Sequence, residues 1–304
     1  MRLYTHEACL RHEPGPGHPE APARLSAVLQ ALAPEEFPRL QRQQAPAATR
    51  EQLLRVHSAE LVAGILDQPV HGVRRLDADT ALSAGSAEAA LRAAGAVCAA
   101  VDAAIDGSAV RAFCAVRPPG HHATRAQAMG FCLFNSVAVG AAHALAAHGL
   151  QRVAIADFDV HHGNGSQDIF WNDPRVLYVS SHQDPLYPGT GGAAEHGSGN
   201  IVNAPLPEGT DSRAFRQEWR ARLLPALEAF APQLLLVSAG FDGHRLDPLA
   251  GFDLVAEDYE WLTAALVDCA NRHAQGRVVS TLEGGYSLAA LRECTRAHVH
   301  ALAG

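Results

Sequence analysis

The chain has 304 residues, nearly half of them hydrophobic, a formal charge of −8 and six scattered cysteines. That length can bury one large core or two modest ones, and the spacing of the cysteines, with no Cys-x-x-Cys pair, excludes a disulfide framework or a cysteine-based zinc fold. The charge lacks the basic footprint of a nucleic-acid binder. No apolar run reaches the roughly 18 residues of a membrane span, and the opening MRLYTHEACLRHEP has no signal-peptide layout, so we expect a soluble, cytoplasmic protein.

Taken in chain order, the Pro/Gly-rich stretch 13–22 reads as a loop. An Ala-rich helix is predicted over 86–105, opened by a Ser N-cap, and a buried strand over 111–116 (RAFCAV) follows it. A helix over 135–148 ends at Gly149, a natural C-terminal stop. Strands are predicted at 152–156 (RVAIA) and 176–180 (VLYVS), then a second loop at 187–200. The remainder alternates: helix 212–230, strand 233–238 (QLLLVS), helix 255–273, strand 277–282 (RVVSTL) and helix 287–302. The strands are apolar at nearly every position, as in a parallel sheet covered on both faces. The alternation therefore predicts an α/β fold, one domain over 1–304 with helices on both sides of a central, mostly parallel sheet.

In open α/β sheets ligands gather at the carboxyl ends of the strands. RAFCAV is followed by Arg117-Pro118-Pro119-Gly120-His121-His122. RVAIA runs into Asp157-Phe158-Asp159-Val160-His161-His162-Gly163-Asn164, QLLLVS into Ala239-Gly240-Phe241-Asp242, and RVVSTL into Glu283-Gly284-Gly285-Tyr286. An isolated Asp-x-His, His-His or Gly-Gly-Tyr is ordinarily a surface turn or a cap. Here four strands send metal-binding or proton-transferring groups to one sheet edge.

Asp157, Asp159 and His161 alternate, so in an extended segment they lean to one side. Two carboxylates and an imidazole there are costly to bury unless a cation neutralises them. Asp242 can add a ligand from another strand. Three protein ligands and an open position describe a catalytic Zn2+, although so oxygen-rich a set also suits Fe2+ or Co2+. The tandem His121-His122 can take a proton from water and return it to a departing amine, with Asp157 and Asn164 as their partners. Tyr286 can donate to a developing oxyanion. Together these parts describe water attacking an amide carbonyl. His6, His12, His57 and His71 read as surface or satisfied positions, and the cysteines, Cys132 included, as small buried hydrophobes.

These segments resemble the histone deacetylase superfamily, especially its class II and bacterial members. The motifs that carry the resemblance are GHPEAPARL (17–25), RPPGHHA (117–123), GFCLFN (130–135), DFDVHHGNG (157–165), YPGTG (187–191), SAGFD (238–242) with DPL (247–249), and LEGGY (282–286). They occur in the family's order along nearly the whole chain. The resemblance implies a three-layer α/β/α fold, with zinc on Asp159, His161 and Asp242. It implies His122 as general base and acid paired with Asn164, His121 as its electrostatic assistant paired with Asp157, and Tyr286 at the oxyanion. It further implies Phe131 and Tyr187 as tunnel walls, a Gly130 carbonyl for the scissile N–H, Leu249 and Gly284 among the substrate contacts, and Arg24 by an internal channel. A structural K+ near Asp157, Asp159, His161, Ser180 and Ser181 is also implied. Phe158 departs from the Trp usual in class II, a change in packing, and Tyr187 from the commoner tunnel Phe. The loop 76–80, with Asp77 and Asp79, holds a candidate rim group whose identity stays open.

For the substrate, the resemblance leaves acyl-lysine in peptides or proteins against acetylated polyamines. In polyamine-specific animal relatives a rim glutamate follows the Asp-Pro after the last zinc ligand; here that position is Leu249. The bacterial polyamine enzymes carry a long insertion before the tandem histidines, and none is visible between Asp67 and Val116. The expectation is therefore a lysine deacylase, with an acetylpolyamine amidohydrolase as the alternative. A non-catalytic acyl-lysine binder, the reading from another class, would be expected to have lost the tyrosine or a histidine. An arginase-type reaction needs a second-metal carboxylate that His162-Gly163-Asn164 does not offer. All 24 basic residues are arginine, which reads as codon bias of a bacterial source and excludes Schiff-base chemistry.

Overall fold

The computed structural model describes all residues, 1–304. The strands are β1 (Arg2–Thr5), β2 (Gln41–Gln44), β3 (Arg74–Arg75), β4 (Ala81–Leu82), β5 (Arg111–Cys114), β6 (Val153–Asp157), β7 (Val176–Gln183), β8 (Ile201–Leu206), β9 (Leu234–Ala239) and β10 (Val278–Leu282). Eight of them form one sheet in the order β2-β1-β5-β10-β9-β6-β7-β8, and every pairing in it is parallel. β3 and β4 form a separate antiparallel ribbon. β6, β7, β9 and β10 are buried at every residue, which explains why their sequences lack polar alternation.

The helices are α1 (Pro22–Ala31), α2 (Arg50–Leu54), α3 (Ala59–Leu66), α4 (Ser86–Ile105), α5 (Ser136–His148), α6 (Asn164–Phe170), α7 (Ser212–Glu218), α8 (Leu224–Phe230), α9 (Ala256–His273) and α10 (Leu288–Ala303). α4 and α5 pack together on one face of the sheet, while α1, α8, α9 and α10 form the other layer. The three-layer α/β/α fold expected from the sequence is therefore present. Small residues allow the α4–α5 approach, Gly140 lying directly on Val97. Beneath the strand ends, Phe158 packs among Phe241, Tyr259 and His298, with centroids 5.7–6.0 Å apart. Fully burying a ring of this size contributes roughly 1.5–3 kcal/mol.

Two differences from the sequence reading have local causes. The single helix expected over 212–230 is interrupted by a π-helical turn, Trp219–Leu223, where the Leu224 N–H reaches back to the Trp219 carbonyl. Pro225 has no N–H to continue the regular ladder, so the wider turn absorbs the defect. β2 (QRQQ) is exposed at all four positions and carries no hydrophobic signal; it is a strand because it pairs in register with β1.

No helix is long and apolar enough to cross a membrane.

Candidate active site

The four strands that end in the chemical motifs, β5, β10, β9 and β6, are consecutive in the middle of the sheet. Their carboxyl ends deliver His121 and His122, Tyr286, Asp242, and Asp157 to His161 to one place.

Asp159, His161 and Asp242 are buried, and one ligand atom from each lies within 4.8 Å of the others. His161 Nδ1 is 3.2 Å from Asp159 Oδ1 and 3.1 Å from Asp242 Oδ2. Backbone donors hold the carboxylates: Val160 N–H on Asp242 Oδ1 at 3.0 Å, Gly284 N–H on Asp159 Oδ2 at 2.8 Å, and His161 N–H on Asp159 Oδ1 at 2.9 Å. The two buried carboxylates favour positive charge at the centre of this cage. Burial opposes protonation of His161, yet Asp159 and Asp242 outweigh it and hold the imidazole up at about 10. Burial lifts Asp242 above the usual carboxylate range, with the Asp159 charge adding to the rise. One imidazole and two carboxylates, each steadied by a backbone N–H, fit a tetrahedral divalent ion with one open position.

Glycine is required around the cage because the chain comes too close for a side chain. A Cβ at Gly284 would lie 2.7 Å from Asp159 Oδ2 and closer still to Asp242 Oδ2. At Gly163 it would meet Tyr178 Oη at 2.6 Å. Gly284, expected among the substrate contacts, is thus pressed against the cage itself.

The tandem histidines lie 4.0 Å apart between centroids, their rings tilted by 44°, and have different partners. His121 Nδ1 is 3.1 Å from Asp157 Oδ2, which also accepts from Tyr178 Oη at 3.0 Å. Burial lowers the His121 imidazole, but Asp159 and Asp157 overcome it and raise it to about 10. His122 Nδ1 lies 2.8 Å from Asn164 Oδ1, a neutral partner. Burial, and then the neighbouring His121 and His161, push its pKa well below 6.5. The carboxylate partner thus favours the charged form of His121, whereas burial beside a neutral partner favours the uncharged form of His122.

Phe131 and Tyr187 approach this centre from separate loops. Tyr187 packs edge-on to His122 at 5.1 Å and His161 at 6.4 Å. Phe131 lies 5.9 Å from Tyr286 and 4.7 Å from His18. Gly130 and Phe131 both have positive φ, +56° and +67°, at the tip of a tight hairpin closed between Met129 and Cys132. That conformation is strained for Phe131, by roughly 1–2 kcal/mol. It is fixed by the ring contacts and by the Phe131 N–H donating to Thr80 Oγ1 at 3.1 Å. Thr80 Oγ1 in turn donates to Asp79 Oδ1 at 2.9 Å, bringing the loop 76–80 to the mouth of the site. Leu249 is half-buried on the loop after β9. Ser180 pairs with Asp157 across β6 and β7. The Ser180 hydroxyl lies 2.9 Å from His182 Nδ1, whereas that of Ser181 accepts from Trp219 Nε1 on the other face.

Arg24 is buried, its Nε donating to the Gly285 carbonyl at 2.6 Å and its Nη2 to the Glu283 carbonyl at 2.5 Å, with the guanidinium 4.8 Å over the Tyr286 ring. The network behind it was not legible in the sequence. Fully buried Glu20 is clasped by both Nε and Nη2 of Arg117 and receives Arg24 Nη1 at 3.1 Å. Glu283 was missed as well: its Oε2 accepts the N–H groups of Gly120 at 2.6 Å and His121 at 3.1 Å, anchoring the tandem-histidine loop. Burial pushes its carboxyl up to about 7. Both glutamates stand inside motifs, GHPE and LEGGY, which was the available signal. Of the histidines read as satisfied, His57 and His12 are buried and hydrogen-bonded, to Thr124 O and Ser86 Oγ. All six cysteines are buried and free. A second cluster, Asp102, His143 and His148, joins α4 to α5 at the surface; Arg55 donates to His143 Nδ1, opposing a cation there.

A family model described as the histone deacetylase domain matches residues 18–302. The histone deacetylase-like amidohydrolase of Pseudomonas aeruginosa is 40% identical, over 99% of this chain and 86% of its own length. Type-2 histone deacetylase 2 of Dictyostelium discoideum is 45% identical over 74% of this chain, an alignment that spans only 14% of that protein. Among solved structures, the HDA15 HD domain superposes with a TM-score of 0.93 at 36% identity, covering 99% of this chain and 87% of that one.

Proposed function

The chain belongs to the histone deacetylase family, and from that premise we propose that it is a zinc-dependent hydrolase removing acetyl or other short acyl groups from lysine side chains of peptides or proteins. One observation carries the reading: a buried Asp159–His161–Asp242 cage lies beside a histidine, His122, whose Nδ1 is engaged by neutral Asn164. A divalent ion held there, zinc in this proposal, would supply Lewis acidity and make a water acidic near neutral pH.

The chain's own groups do the rest. His122, its Nδ1 engaged by Asn164, accepts the proton of the attacking water as its oxygen bonds to the carbonyl carbon. The Tyr286 phenol, pushed well above its ordinary value by burial, stays protonated and donates to the oxygen as charge develops. His121, paired with Asp157, assists electrostatically beside the reacting atoms. The C–N bond breaks as His122 returns that proton to the amine nitrogen, and the second water proton passes from the new carboxylic acid to the amine, leaving a carboxylate and the lysine ammonium. Phe131 and Tyr187 enclose the aliphatic stem, and the Gly130 carbonyl accepts the scissile N–H. Of the two rim acids, Asp77 uses Oδ1 on the N–H groups of Asp79 and Thr80. Asp79, whose Oδ1 accepts from the same Thr80 hydroxyl that holds the Phe131 N–H, is the rim group of this reading. The proposal includes a monovalent cation, potassium, near Asp157, Ser180 and Ser181, and a cytoplasmic site of action.

Half-buried, apolar Leu249 supports acyl-lysine over an acylated polyamine, since it cannot pair with a distal ammonium. The acids of the 76–80 loop favour the second reading: Asp79 and Asp77 both act on the Tyr187 phenol, helping burial to raise it, and would attract a polyamine. The test is kcat/KM for an acetyl-lysine peptide beside N-acetylputrescine on one zinc-loaded preparation. Preference for the peptide is expected; preference for the polyamine would overturn the substrate assignment.

A further inference from the structure

We propose that Asp247 is a positioning residue for this reaction, its single carboxylate tying the substrate rim to the backbone that aims Tyr286; the inference rests on the deacylase reading above. Asp247 is only 8% exposed and stands five residues after Asp242. Its Oδ1 accepts the Leu249 N–H at 3.0 Å, and its Oδ2 accepts the N–H groups of Tyr286 at 2.7 Å and Ser287 at 3.3 Å. Its own N–H is fixed on the His244 carbonyl at 2.8 Å.

The loops that follow β9 and β10 are thereby joined at two levels. Next to the cage, the Phe241 N–H donates to the Gly284 carbonyl at 3.0 Å. Farther out, Asp247 holds Tyr286. Between the two levels lies Gly285 at φ +120°, a conformation that L-residues rarely adopt, with its carbonyl held by Arg24. The backbone on both sides of the Tyr286 Cα is therefore restrained, and Asp247 supplies the restraint on its N–H.

The chemistry requires a carboxylate. Three backbone N–H groups converge on one side chain, two of them at the start of α10, where the helix dipole also favours negative charge. An asparagine can satisfy one side with its oxygen, but its NH2 then faces another N–H donor. Asp247→Asn must release either the rim or the tyrosine.

The experiment compares wild type, Asp247→Asn, Tyr286→Phe and the double variant, all zinc-loaded, on acetyl-lysine and trifluoroacetyl-lysine peptides. The trifluoroacetyl carbonyl is more electrophilic and depends less on oxyanion donation. Asp247→Asn is expected to lower kcat for acetyl-lysine about 10- to 100-fold, part of the loss for a whole oxyanion donor. KM should stay within about threefold, and the trifluoroacetyl substrate should be spared by about tenfold relative to acetyl. The double variant should be no more than about threefold below Tyr286→Phe, because both changes remove one function. Equal losses on both substrates, or losses that multiply in the double variant, would overturn the role. If the Asn variant does not fold, Asp247→Glu keeps the charge, displaces the oxygens by one methylene, and is read by the same asymmetry. Wild-type inactivity on acetyl-lysine, or an unaffected Tyr286→Phe, would instead contradict the deacylase reading itself.

Discussion

Gly284→Ala should empty the metal cage while leaving the fold intact. A Cβ there would lie 2.7 Å from Asp159 Oδ2, about 0.7 Å inside ordinary contact, with Asp242 Oδ2 nearer still. Metal–ligand distances tolerate only about ±0.2 Å, so two of the three ligands cannot keep their places together. Loss of a supporting contact alone lowers metal affinity about 10–100-fold; moving two ligands should reach at least the upper end. The zinc dissociation constant, measured against a competing chelator, checks this, with circular dichroism confirming the fold. Gly64→Ala is the matched control. Gly64 lies within α3 with nothing inside 4 Å of the added methyl, so it should gain about 0.5–1 kcal/mol of stability and keep its zinc. Wild-type zinc affinity in Gly284→Ala would refute the close-approach argument.

Further outcomes follow from the same geometry. Tyr286→Phe should retain zinc and lower kcat by about 10²–10³, because the ring contacts with Phe131 and Arg24 survive; stopped-assay kinetics with a metal analysis check both parts. Leu249→Glu should raise kcat/KM for N-acetylputrescine by about two- to fivefold, the contribution of an exposed ion pair, an increase that 0.5 M salt should remove. His298, buried between Thr263 Oγ1 and Ser280 Oγ, is pushed down to about 3 by burial. Its folded value is depressed, so the stability it confers is complete above the unfolded value of about 6.5 and is lost as pH falls toward about 3. The stability difference between wild type and His298→Gln should therefore narrow by about 1.4 kcal/mol between about pH 7.5 and 5.5 in urea titrations. A pH-independent difference would contradict it.

The sequence made the centre of the sheet legible because β6, β7, β9 and β10 are buried on both faces and so show unbroken apolar runs. β1, β2 and β8 show no such run. β2 is polar throughout, and β8 (IVNAPL) contains an asparagine and a proline; tertiary pairing, not local pattern, makes each a strand. The ligand and histidine pairs were readable because the motifs sit directly at strand ends. Asp247, Glu283 and Glu20 were not, since each acts on partners 39, 162–163 and 97 residues away, and only the packed sheet brings those segments together. The need for glycine at 163, 240 and 284 has the same origin: sequence displays the residue, but only the fold shows the carboxylate or phenol pressed against it.

In the proposed reaction the buried Asp159–His161–Asp242 cage drives acyl-lysine hydrolysis with one divalent ion. The direct measurement is turnover of an acetyl-lysine peptide by metal-stripped protein titrated with zinc. No turnover is expected without metal, and activity should rise to a plateau at one equivalent, with His122→Ala binding the same zinc but remaining inactive. Turnover that is indifferent to the metal, or none at any zinc concentration with an intact fold, would contradict it.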